Sequence, residues 1–157
     1  MNVHEVLERV CQLIEVESQG QVSIERDYDP SIPELEADKG QLIQALLNIC
    51  RNAMQAMIEA SPAIEHPTLQ LRSRTVRQFT IGHHRHRLVA QIDITDNGPG
   101  IPATLRENLF YPMVSGRADG TGLGLSISQS IINQKNGIIE FTSDPGKTTF
   151  SIYLPLE

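Results

Sequence analysis

The sequence predicts an α/β fold, and three observations predict it. The chain has 157 residues, the length of one domain with a substantial core, and its 39% hydrophobic content with nine prolines and eleven glycines is ordinary for a mixed globular protein. Helical periodicity recurs in three stretches long enough to be helices. Between and after them lie short runs that alternate apolar and polar residues and are bounded by Gly, Pro, Asn or Asp.

Residues 3–16 place Val3, Val6, Leu7, Val10, Leu13 and Ile14 at three- and four-residue steps, the pattern of a helix with one apolar face. Gln21 to Tyr28 alternates as a strand, and Asp29-Pro30-Ser31-Ile32-Pro33 forces an extended turn because neither proline fits a helix interior. Asp38 is the N-cap of a long helix, with Gln41 three residues on. Its apolar set, which includes Leu42, Leu46, Cys50, Ala53 and Met57, runs until Ser61-Pro62 stops it. Two strands follow, Thr68 to Val76 and Leu88 to Thr95, joined through Gly82-His83-His84-Arg85-His86. Residues 101–119 show no clean period, which in a compact domain marks a lid, a binding loop or a mobile segment. A helix from Leu123 to about Lys135 carries Leu123, Leu125, Ile127, Ile131 and Ile132 on one broad face. Asn136-Gly137 then turns the chain into a strand over 138–142, and a last strand runs from Thr148 to Leu154.

Composition excludes several classes of function. A net charge of −6 argues against a general nucleic-acid binder, which would neutralise phosphates with clustered Lys and Arg, so any polyphosphate ligand must be held by local groups. Cys11 and Cys50 lie among apolar helical positions and read as buried reduced thiols. No apolar run approaches the length of a membrane span, and Met1-Asn2-Val3-His4-Glu5 has neither a basic nor an apolar leader region; a cytoplasmic protein is expected. His83, His84 and His86 have no acidic or cysteine partner beside them and read as a solvated hairpin tip rather than a metal site. His4-Glu5 reads as surface. Gly146-Lys147-Thr148 is not the end of a P-loop, because the motif requires glycine where Phe141 stands and a helix where Thr149 to Leu154 alternates as a strand.

Three features carry chemistry. In Asp119-Gly120-Thr121-Gly122-Leu123-Gly124-Leu125-Ser126, alternating glycines run into a helix start, where unpaired amides favour phosphate; an ordinary glycine-rich loop is the plain alternative. Asn48 and Asn52, four apart, share a helix face beside the apolar stripe. Neutral amide oxygens suit Mg²⁺ that already carries phosphate oxygens, and the alternative is two solvated asparagines. In Asp93-Ile94-Thr95-Asp96-Asn97-Gly98-Pro99-Gly100, alternation turns Asp93 outward, and Asp96 sits where the strand breaks into a Gly-Pro-Gly turn. Its carboxylate could accept from a ligand amine such as adenine N6 and would reject guanine, or it could satisfy only local amides.

Taken in order, Asn48-x-x-x-Asn52, then Asp96-Asn97-Gly98-Pro99-Gly100, Phe110, Gly120-Thr121-Gly122-Leu123-Gly124 and Gly146-Lys147-Thr148-Thr149-Phe150 resemble the ATP-binding catalytic domain of sensor histidine kinases, in the GHKL superfamily with gyrase, Hsp90 and MutL. The runs Leu47 to Ala53 and Phe110 to Arg117, with Gly120 to Ser126 after them, look most like the nitrogen-regulation branch. The resemblance covers nearly the whole chain. It implies a two-layer α+β sandwich of the Bergerat type, a mixed sheet covered on one face by helices, with ATP under a mobile lid at about 101–119. It also implies roles: Asn52 on Mg²⁺ with Asn48 lining the same pocket, Asp96 on the adenine amine, and Gly98 and Gly100 passing close to the base. Phe110 would belong to the lid, Arg117 would reach the terminal phosphates, and Gly120, Thr121, Gly122, Leu123 and Gly124 would form the hinge and cradle. Thr149 would sit near the adenine through water.

Such kinases move phosphate to a histidine on a separate helical dimerisation segment. His4-Glu5 lacks the rest of that motif, so a catalytic half without phosphoacceptor or sensor domain is expected. A response regulator and a PII-type signalling protein are the further partners implied. Superfamily members that hydrolyse ATP carry glutamate at the position of Asn48, and an amide cannot be a general base, so weak intrinsic hydrolysis is expected. The alternatives are a non-catalytic nucleotide-binding module that docks a regulator and a stand-alone anti-sigma-type serine kinase.

Overall fold

A computed structural model of the chain describes residues 1–110 and 124–156. In chain order the elements are α1 (Val3–Ser18), β1 (Ser23–Asp27), α2 (Lys39–Glu59), β2 (Thr68–Ile81), β3 (His84–Asp96), α3 (Ala103–Arg106), α4 (Gly124–Gln134), β4 (Ile138–Asp144) and β5 (Lys147–Pro155). The five strands form one mixed sheet in the order β1-β2-β3-β5-β4, with only the β1–β2 pair parallel among neighbours. The α2 crossover makes that parallel pair possible.

Both long helices start at side-chain caps. Asn2 accepts from the His4 amide in α1, and Asp38 Oδ1 accepts from the Gln41 amide at 3.0 Å in α2. The predicted stripes of α1 and α2 are the ones that pack, with Leu7, Ile14, Leu42, Leu46 and Met57 fully buried. Each such side chain contributes about 1.5–3 kcal/mol of transfer free energy. Leu69, Leu71, Ile92, Ile94, Phe150 and Ile152 answer them from one face of the sheet. Cys11 and Cys50 are buried free thiols in this core. The predicted layer architecture, a mixed sheet with helices over one face, is the observed one.

Asp93 faces away from the helices, as alternation requires, but it is not a solvated carboxylate. Ser151 Oγ donates to it at 2.7 Å, Gln91 Nε2 at 3.0 Å, and Arg72 stands 3.5 Å away, leaving it 8% exposed. The β2–β3 hairpin runs five residues further on β2 and four further on β3 than the apolar alternation suggested, turning at Gly82 with φ +61°. Cross-strand hydrogen bonding does not need apolar side chains, so Arg and His residues extend the ribbon past the sheet. There Phe79 stacks on Tyr153 at 4.3 Å. His83 and His84 are exposed, and no group of three or more His, Cys, Asp or Glu able to hold a metal occurs among the described residues. None of the described helices is long and apolar enough to cross a membrane.

Candidate functional site

β3 ends on Asp96, on the face covered by helices, with 6% of its surface exposed. Its Oδ1 accepts from the Gly98 amide at 2.8 Å, and among the described residues Oδ2 receives no hydrogen bond. Local satisfaction therefore accounts for one oxygen only. Burial raises the carboxyl to about 6, and the Gly98 amide offsets part of that rise.

The turn after Asp96 is tied on both sides. Asn97 accepts from the Thr68 amide at 2.9 Å and donates to the His66 carbonyl at 2.8 Å, which fixes the turn to the start of β2. On the other side Gly146 N donates to the Gly98 carbonyl at 2.9 Å, and the Ile101 amide donates to Ser143 Oγ at 2.8 Å. Gly100 has φ +91°, and a Cβ there would stand 3.1 Å from the Asp144 carbonyl oxygen. A Cβ at Gly98 would lie 2.8 Å from Asp96 Oδ1 and 3.3 Å from Met57 Cγ. The turn is glycine because the Asp144 backbone, the Asp96 carboxylate and Met57 of α2 meet there.

The second wall is α2. Asn48 Nδ2 donates to the Gly124 carbonyl at 3.3 Å, and Asn52 Nδ2 donates to the Asn48 carbonyl at 3.0 Å, one turn back. Gly124 opens α4, and a Cβ there would stand 3.5 Å from Asn52 Nδ2 and 3.7 Å from Asn48 Cβ. Met57, under the glycine turn, lies about 7 Å along α2 from Asn52 and about 13 Å from Asn48 at 1.5 Å per residue. One helix thus spans the distance from the carboxylate end to the start of α4, suiting an elongated ligand with an amine at one end and anionic groups at the other.

Phe110 is half-buried, its ring 6.2 Å from Phe141 and 6.3 Å from Phe150 on the helix-covered side. Arg117, Gly120, Thr121, Gly122 and Leu123 lie outside the described residues. Thr149 is not brought to Asp96. It stands opposite Thr95, with the two hydroxyls 2.9 Å apart on the face away from the helices. Thr148 is the residue paired with Asp96, and its hydroxyl lies 2.7 Å from Ser143 Oγ, both buried. Strand alternation could have found it: Phe150, Ile152 and Leu154 point into the core, so Thr148 points with them. Ser143, which joins Thr148 to the Ile101 amide, carries no sequence signal of its own.

Two further positions depart from expectation. Ile127, placed on the apolar stripe by its spacing, is 36% exposed, while Ser128 is fully buried. His4, read as surface, is half-buried. Its Nε2 lies 2.8 Å from Ser73 Oγ, its ring stacks on Tyr28 at 5.0 Å, and burial lowers its pKa against the raising effect of Asp29 and Glu8.

Comparison with known proteins agrees with this geometry. A family model described as "Histidine kinase-, DNA gyrase B-, and HSP90-like ATPase" matches residues 37–157. The sensory histidine kinase/phosphatase NtrB of Vibrio alginolyticus is 56% identical over 155 residues, covering 99% of this chain and 43% of that protein. NtrB of Rhodobacter capsulatus is 39% identical over 161 residues, with the same coverage of each chain. The chain therefore spans less than half the length of the curated relatives it matches. Among solved structures, a nucleotide-free catalytic domain of the histidine kinase ThkA aligns with a TM-score of 0.79 at 25% identity, covering 99% of this chain and 93% of that one. Full-length ShkA in complex with AMPPNP aligns at 0.78 and 22% identity, covering 99% and 30%, a likeness of fold. With its Bergerat-type sandwich and a carboxylate, glycine turn and paired asparagines set along α2, the chain belongs to the histidine kinase-, DNA gyrase B- and HSP90-like ATPase family.

Proposed function

We propose that the chain is the ATP-binding catalytic half of an NtrB-like sensor histidine kinase in nitrogen regulation. It donates the γ-phosphate of ATP to a histidine on a separate helical dimerisation segment. A response regulator receives the phosphate in turn, and a PII-type signalling protein is the proposed controller. The single observation that carries this reading is Asp96, a buried carboxylate at a strand end with one oxygen held by the Gly98 amide and the other receiving no hydrogen bond from the described residues. A charge-assisted bond from adenine N6 to that oxygen contributes about 1.5–3 kcal/mol, and the acceptor of guanine at the same place would be repelled.

The donor chemistry fits Mg²⁺ arriving with the nucleotide. Asn52 commits its amide nitrogen to the Asn48 carbonyl, which directs its carboxamide oxygen away from that backbone. No acidic or histidine cluster that could hold a cation by itself occurs among the described residues. A hard cation that keeps waters and phosphate oxygens needs few protein ligands, and Asn52 would be one of them. When bound, the cation supplies positive charge across the terminal phosphates. Asn48 lines the same pocket and cannot act as a general base, so transfer depends on a nucleophile brought in line from outside this chain. Arg117 and the glycines from Gly120 to Gly124 are proposed for the phosphate end, with Phe110 at the base of the lid.

Calorimetric titration with ATP and GTP, each with and without Mg²⁺, tests the pocket. Selective binding of ATP is expected, and equal affinity for GTP would remove Asp96 from the adenine. Transfer of γ-labelled phosphate to a histidine-bearing helical fragment of an NtrB relative tests the reaction. Tight ATP binding with no transfer would instead favour the non-catalytic docking module.

A further inference from the structure

The stripe by which α4 packs on the core has a hydroxyl at its centre. Ser128 is fully buried between Gly124 and the buried pair Ile131 and Ile132, while the neighbouring Ile127 is 36% exposed. An apolar residue at 128 would gain transfer free energy there, so the hydroxyl is not explained by packing. Ser128 Oγ stands 2.7 Å from the Ala45 carbonyl of α2 and 3.1 Å from the Gly124 carbonyl of its own helix. The Gly124 carbonyl also accepts from Asn48 Nδ2 at 3.3 Å, and Asn48 in turn accepts from Asn52 Nδ2. Ala45, Asn48 and Asn52 are spaced three and four apart, so they lie along one face of α2. One hydroxyl thus links the backbone of α2 to the first turn of α4, at the place where both asparagines meet it.

We propose that Ser128 is a positioning residue for the phosphate end of the site. It fixes the rotation and register of α4 against α2, so that Gly124 and the side chains of Asn48 and Asn52 hold one arrangement toward the triphosphate and its cation. An all-apolar stripe would pack at least as tightly but would tolerate small slides and rotations, because dispersion contacts are non-directional. A cross-helix hydrogen bond is directional and specifies one register. The carboxylate end does not share this device, since Asp96 is fixed by the turns at residues 97–101 and 143–146. This inference rests on the reading of the cleft as a Mg·ATP site.

The test compares wild type, Ser128→Ala, Ser128→Val and Ser128→Thr by urea unfolding and by titration with two probes, Mg·ATP and adenosine. Ser128→Ala and Ser128→Val are expected to keep or exceed wild-type stability yet to weaken Mg·ATP binding about tenfold, the order expected for one misplaced set of polar contacts. Adenosine affinity should stay within about twofold, because it uses only the Asp96 end. Ser128→Thr, which keeps the hydroxyl, should restore Mg·ATP binding. Loss of stability with unchanged Mg·ATP affinity, or equal losses for both probes, would overturn the proposal and leave Ser128 as packing. Wild type that binds neither probe would overturn the nucleotide reading itself, and this inference with it.

Discussion

At the scale of single residues, the carboxylate proposed to recognise adenine also destabilises the empty domain. The Asp96 carboxyl is raised from its ordinary 3.8 to about 6 by burial, with the Gly98 amide as partial offset. A carboxyl raised in the folded state contributes stability that is full below the unfolded pKa and is lost as pH rises through 6. At pH 8 the ionised form therefore costs about 3 kcal/mol. Asp96→Asn keeps an oxygen for the Gly98 amide and removes the charge. Urea unfolding of the ligand-free chain should show this variant more stable by about 2–3 kcal/mol at pH 8, with the two curves converging near pH 4. The same variant should bind ATP about a hundredfold more weakly, since its amide presents a donor to the adenine amine. Wild-type ATP affinity should itself decline as pH falls through 6. Thr148 and Thr149 make a second test at this scale. Thr148→Ala should weaken ATP binding about tenfold, and Thr149→Ala, whose hydroxyl meets Thr95 on the far face, should leave it within about twofold. Motif position alone pointed to Thr149; the two-residue period of a strand whose inward members are Phe150, Ile152 and Leu154 puts Thr148, not Thr149, on the helix-covered face.

At the scale of elements, what was legible in the sequence is what a repeating pattern encodes. α2 shows this best: its cap, its apolar stripe and the four-residue offset of its asparagines all follow from residue order. Replacing Asp38 with alanine should cost about 1 kcal/mol in urea unfolding by removing the acceptor for the Gln41 amide. Asn52→Ala should weaken binding of ATP in the presence of Mg²⁺ by about tenfold and change metal-free binding little, because the carboxamide oxygen is the proposed cation ligand. Equal losses in both titrations would move the cation elsewhere. Illegible were features fixed by partners distant in sequence. Ser128 is buried with its hydroxyl donating to the Ala45 carbonyl, 83 residues away, while Ile127 lies at the edge. Ser143 matters through Ile101 and Thr148, and neither spacing is periodic. The reach of the β2–β3 ribbon was underestimated for a related reason, since backbone pairing between Arg- and His-rich strands leaves no apolar trace.

At the scale of the whole molecule, the described helices cover the sheet face on which Asp96 and Thr148 lie at the ends of β3 and β5, so the proposed site lies between sheet, α2 and α4. His4 is the histidine that might be mistaken for a phosphoacceptor, and its environment argues otherwise. Ser73, to which its Nε2 is bonded, stands opposite Ile92, four residues or about 14 Å along β3 from Asp96. Its ring is stacked on Tyr28, and burial holds its pKa below the ordinary value. A histidine pKa lowered in the folded state contributes stability above the unfolded value that is lost as pH falls through the folded one, so His4 belongs to the packing of α1 on β2. Incubation of the chain alone with γ-labelled ATP and Mg²⁺ should therefore give no phosphohistidine. Label should appear on a helical fragment bearing the acceptor histidine when that fragment is added. His4→Ala should leave this transfer unchanged while lowering stability near pH 8 by about 1 kcal/mol, the cost of one hydrogen bond. Acid-labile label on the isolated chain that disappears in His4→Ala would show that the chain carries its own acceptor.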